Sequence, residues 1–128
     1  MSDAIVLLAH GARDPEWARP IESMAARLRL LMPAVPVVLA FLEFMSPDLD
    51  AAVTTLAGQG KHHIAVVPVF LAQGGHVKRD LPAKIDALRD KLRAADTGMV
   101  IDLLPAIGEQ AEVINAIAAS VARLVGKP

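Results

Sequence analysis

Short apolar runs alternate along this chain with longer segments whose apolar residues recur at helical spacing. Near-continuous apolar runs of this length suit strands buried on both faces, and their alternation with helices specifies a parallel sheet. The expected strands are Ala4 to Ala9, Val35 to Leu42, Ile64 to Phe70 and Met99 to Leu104. The intervening helices carry apolar stripes at Trp17, Ile21, Met24 and Leu28; at Leu49, Ala52, Val53 and Leu56; at Leu81, Ile85, Leu88 and Leu92; and at Val113, Ile117, Val121 and Leu124. Right-handed crossovers favour the flavodoxin-like order 2-1-3-4. The expected fold is therefore α/β: a four-stranded parallel sheet in that order, with helices on both faces, in a single domain spanning residues 1–128.

Local signals fit this alternation at most boundaries. Asp14-Pro15 and Ser46-Pro47 each set a capping side chain before a proline suited to the first helical turn, and Gly58-Gln59-Gly60 stops the second helix. Two prolines cut across it. Pro20 falls inside the first helical stripe, so that helix either kinks there or starts after Pro15, and Pro68 removes a donor from an expected central strand.

Composition narrows the ligand classes. Aromatic residues are only 3% of the chain and the formal charge is -1, so neither stacking rings nor a general positive field is available for nucleic acid. Cysteine is absent, which removes thiolate nucleophiles and thiolate metal ligands together and fits a reducing compartment. The first residues lack a basic segment ahead of Ile5-Val6-Leu7-Leu8-Ala9, and no apolar run approaches the roughly 18 residues of a membrane span, so a cytoplasmic protein without membrane contact is expected.

Parallel sheets bind ligands at the carboxyl ends of their strands. His10 follows the first strand, His76 follows the third after Gly74-Gly75, and Glu43 follows the second. Order 2-1-3-4 gathers all three at one mouth, where neutral imidazoles suit first-row divalent ions and a carboxylate can orient an imidazole or relay its proton. His62 and His63 precede the third strand and so fall at the opposite edge, with a structural role. Arg13, Lys78 and Arg79 supply local positive charge for an anionic ligand, and Gly74 and Gly75 permit close backbone approach or positive φ. Phe41, Phe44, Met45, Phe70 and Leu71 crowd the ends of strands two and three. A flat apolar ligand or a partner subunit would account for them, which nominates Phe41 and Phe44 as substrate contacts.

Three ordered motifs, His10-Gly11-x-Arg13-Asp14-Pro15, Ala40-Phe41-Leu42-Glu43 and Val67-Pro68-Val69-Phe70-Leu71 followed by Gly74-Gly75-His76-Val77, closely resemble the short-form sirohydrochlorin cobaltochelatases, class II chelatases related to sirohydrochlorin ferrochelatase and to nickel chelatases. The match runs from about residue 4 to Pro105. The resemblance implies ATP-independent insertion of a divalent ion, Co2+ first and Ni2+ or Fe2+ as alternatives, into a tetrapyrrole, in cobalamin or sirohaem synthesis. It implies that His10 and His76 bind the metal, that Glu43 is the acidic residue beside them, and that two chains pair as a homodimer. The ion is then a substrate, and no tightly bound cofactor is expected. Ala12 stands where the family usually has serine, and no histidine-rich tail points to metal storage.

Two other classes share parts of the pattern. A non-catalytic module that binds and delivers metal or tetrapyrrole needs the same ligands. Phosphohistidine phosphatases also place His-Gly at a strand end, but they require an arginine beside the first histidine, where this chain has Ala9.

Overall fold

The computed structural model describes residues 2–126. Its four strands are β1 (Ala4–Ala9), β2 (Val37–Phe41), β3 (His63–Pro68) and β4 (Val100–Leu103). All pair in parallel, in the order β2-β1-β3-β4. The helices are α1 (Arg19–Leu31), α2 (Leu49–Gly58), α3 (Gly75–Ala94) and α4 (Ala111–Val125). β1, which neighbours strands on both sides, is buried at every position, as its uninterrupted apolar sequence requires.

Alternate residues of the strands face different helices. Val6, Leu8, Ile64, Val66 and Ile101 meet α2 and α3 through Leu49, Val53, Leu56, Leu81, Ile85, Leu88 and Leu92. Ile5, Leu7 and Val37 meet α1 through Ala25 and Leu28. Each fully buried Leu, Ile or Val contributes about 1.5–3 kcal/mol, so the stripe on α3 fixes that helix against the sheet and thereby the position of its first turn. Two arginines secure the edge strands: Arg29 donates to the Val37 carbonyl at 2.7 Å and Arg89 to the Ile101 carbonyl at 2.6 Å.

Several boundaries differ from expectation. Pro15–Ala18 form a 3-10 turn capped by Asp14, whose carboxylate accepts from the Glu16 N–H, and α1 begins only at Arg19. Pro20 thus occupies a first helical turn, where its missing N–H costs nothing. Ser46 does not cap α2; the Ser46-Pro47 peptide is cis, and Asp48 accepts from the Ala51 N–H at 2.8 Å instead. Pro68 is tolerated because it ends β3, and the ladder resumes with Val69 N–H donating to the Leu8 carbonyl. The largest departure is α4. Its stripe was expected to enter the core, yet none of its residues is buried.

Candidate functional site

β1 and β3 run side by side and release His10 and the loop to His76 at the same edge. Gly11 makes the first of these exits possible. Its φ is +90, and a Cβ there would lie 1.9 Å from the Glu43 carbonyl oxygen, so any other residue would push apart the loops after β1 and β2. The loops are also tied directly, with the Leu42 N–H donating to the Ala9 carbonyl and the Glu43 N–H to the His10 carbonyl at 3.0 Å. A second close approach was not anticipated from sequence: a Cβ on Gly108 would meet Leu71 Cα at 2.4 Å, so this glycine lets the segment after β4 lie against the one after β3.

His10, Glu43 and His76 line one cleft of about 220 Å3, together with Leu42, Val77, Asp80, Leu81 and Lys84. The His10 ring stacks on Phe70, with centroids 4.2 Å apart and planes 29° from parallel. All three titratable side chains are exposed, and among the described residues none takes part in a side-chain hydrogen bond or ion pair. No three His, Asp or Glu side chains among the described residues stand close enough to hold one ion. His10, Glu43 and His76 therefore line one cleft, at the edge where strand order gathers them, without forming a closed three-ligand set. Register brings the chain exits together.

Asp80 and Lys84 were missed by the sequence reading. Their spacing carried the signal: His76, Asp80 and Lys84 are four residues apart and so share one side of α3. The 3.6-residue turn puts Lys78 on another side, and Arg79, three residues on, flanks His76 on the side away from Asp80 and Lys84. Neither lines the cleft, and Arg79 Nε turns back to the Gly75 carbonyl at 3.3 Å. Gly74 caps α3 with φ −69, and a Cβ on Gly74 or Gly75 would meet nothing within 4 Å. The expected positive φ is absent, and no close backbone approach requires glycine at either position.

The apolar candidates divide. Phe41 packs with Ala9 and Ile21 and is 6% exposed, and Phe70 is 4% exposed beneath His10, so both are core residues. Phe44 and Leu71 are exposed. Phe44 adopts φ 65 and the Met45 N–H donates to the Glu43 carbonyl across it, forming a γ-turn. A bulky residue in this region is strained by about 1–3 kcal/mol. The Arg13 guanidinium lies 4.8 Å from the centre of the Phe44 ring, which pairs two of the expected substrate contacts.

At the other edge of the sheet His63 Nε2 and Asp102 Oδ2 are 2.5 Å apart. The Asp3 carboxylate accepts from the His63 and His62 N–H groups, and these bonds hold its pKa below the ordinary value.

A parallel α/β sheet whose strand ends turn two imidazoles and a carboxylate toward a single cleft defines a fold of the ligand-binding, doubly wound class with donors suited to a divalent ion. The CbiX family model matches residues 4–124, and the chain belongs to that family. The sirohydrochlorin cobaltochelatase of Methanocaldococcus jannaschii is 38% identical over 90 residues, covering 69% of this chain and 62% of the relative, and that of Saccharolobus islandicus is 32% identical over 100 residues, covering 78% and 77%. The match to the Methanopyrus kandleri cobaltochelatase, 39% identical over 62% of this chain, spans 55% of that relative's length. Among solved structures, a CbiX protein from Marinobacter aquaeolei superposes with TM-score 0.81 at 33% identity, covering 96% of this chain and 97% of that one. The sirohydrochlorin chelatase SirB from Bacillus subtilis subspecies spizizenii, in complex with cobalt, gives 0.79 at 25% identity and is covered over 51% of its length.

Proposed function

We propose that this protein is a cytoplasmic, homodimeric sirohydrochlorin chelatase that inserts a divalent ion, Co2+ first, into the macrocycle without ATP. The observation that carries the reading is the cleft lined by the exposed His10, His76 and Glu43, which among the described residues take part in no side-chain hydrogen bond or ion pair. The curated relatives that bear the name sirohydrochlorin cobaltochelatase support the choice of substrate and metal.

The reaction exchanges one M(II) ion for two pyrrole protons. An ion held too firmly would never reach the ring, and an open arrangement of neutral imidazoles suits a metal that is substrate rather than resident. His10 and His76 hold the partly hydrated ion and release it to the four ring nitrogens. The two displaced protons pass to the imidazoles as they are freed and leave through Glu43, or through Asp80 one turn beyond His76. Lys84 meets a carboxylate arm of the tetrapyrrole, and the Arg13–Phe44 pair flanks the macrocycle.

Absorbance of sirohydrochlorin, followed with Co2+ in the presence and absence of protein, tests the reading. Accelerated conversion to the cobalt complex is expected; tetrapyrrole or metal binding with an unchanged conversion rate would make the protein a delivery module. Rates with Ni2+ and Fe2+ on the same substrate rank the metals.

A further inference from the structure

One part of the sheet lacks the helix its sequence calls for. α1 covers Ile5, Leu7 and Val37 on one face. On that same face, over β3 and β4, Val67 and Val69 are half-buried while Val100 and Leu104 are 50% and 41% exposed. Parallel sheets carry helices on both faces because their strands are apolar on both. The helix available is α4, which follows β4 after a 3-10 turn at Ile107–Glu109, yet no residue of α4 belongs to any core cluster among the described residues. Its Ile114, Ile117, Val121 and Leu124 recur at three- and four-residue spacing along one side and are 53%, 43%, 54% and 80% exposed.

The chain thus presents two apolar surfaces of matching kind, a helix stripe from Ile114 to Leu124 without a sheet and a sheet face that α4 borders only by its first turn, where Glu112 and Val113 line a recess with Val67 and Leu104. Surfaces that complement each other but do not meet within one copy are satisfied by a twofold pair, in which each contact occurs twice. We propose that in the homodimer α4 of each copy lies across the β3–β4 face of the other; this rests on the homodimer reading above. A second copy is favoured over an unrelated partner by length: the chain covers 51% of the cobalt-bound SirB and 49% of a second SirB structure, that from Bacillus subtilis with Fe3+, which leaves in each the extent of one further copy, whereas the Marinobacter CbiX protein is matched over 97% of its length. Charge agrees as well. Asp102 is the acidic residue that the pleat sets between Val100 and Leu104 on the open face, and it is paired with His63, so a covering helix would not strand an isolated carboxylate.

Sedimentation of the full chain and two variants tests the exchange, with far-UV circular dichroism to check folding. Wild type is expected at twice the 13.5 kDa chain mass. Ile117→Asp/Val121→Asp on α4 and Leu104→Asp on the sheet face alter exposed residues and should each give folded chains of single mass. A wild-type monomer would overturn both the dimer and the exchange. A wild-type dimer that survives the α4 variant, or that is lost with the α4 variant but survives Leu104→Asp, overturns the exchange and leaves the dimer standing.

Discussion

At the amino end of the sheet, His63 is engaged by Asp102 and the Asp3 carboxylate by two backbone N–H groups; at the carboxyl end, His10, His76 and Glu43 line a cleft and have no such partners among the described residues. The two ends draw on the same residue types. Positive φ occurs at both ends, at Gly60, Asp96 and Gly98 as well as at Gly11 and Phe44; what differs is close backbone approach, since a Cβ on Gly11 or Gly108 at the carboxyl end would strike a neighbouring loop, whereas one on Gly60 or Gly98 would meet nothing within 4 Å. Polar groups partnered inside the chain hold structure, and exposed polar groups without such a partner are free to meet something else.

Breaking the carboxyl end at its tightest point should have the largest effect. Gly11→Ala forces a Cβ against the Glu43 carbonyl at an unfavourable φ, and a loss of about 3 kcal/mol by urea denaturation is expected; a loss below about 0.5 kcal/mol would mean the two loops separate freely. Phe44→Gly sharpens the comparison in the other direction. It relieves the positive φ and should raise stability by up to about 1 kcal/mol, while raising KM for the tetrapyrrole; a variant both less stable and unchanged in KM would show that the turn is structural. His63→Ala removes a partly exposed pair and should cost no more than about 1 kcal/mol in thermal denaturation.

The smallest effect concerns pH. The folded-state pKa of Asp3 is lowered, by the His63 N–H bond first and the His62 N–H bond second. Its contribution is therefore present above the unfolded value of 3.8 and fades as pH falls through the lower folded value. The Tm difference between wild type and Asp3→Asn should be visible at neutral pH and close on acidification below that point.

The strand order and the grouping of His10, Glu43 and His76 were legible because both follow from chain direction: apolar runs mark parallel strands, and whatever follows such a run leaves at the carboxyl edge. Rotation about a helix axis was less legible when basic residues were judged by proximity to His76, which favoured Lys78 and Arg79 over Lys84; counting in fours from His76 finds Asp80 and Lys84. Phe41 was placed at the mouth although its alternation in β2 turns it into the core, and the glycine pair Gly74-Gly75 was given a backbone task that Gly11 and Gly108 perform. The exposure of α4 was not legible at all, because an apolar stripe reads identically whether its partner sheet is in the same chain or in another.

The most direct measurement is cobalt insertion into sirohydrochlorin by His10→Ala/His76→Ala beside His62→Ala, each checked for a cooperative thermal transition above the assay temperature. The cleft reading requires the first to lose turnover by more than about a hundredfold, with the fold retained and only the His10–Phe70 stacking lost, and the second to match wild type. Near-wild-type insertion by the folded double variant would contradict it.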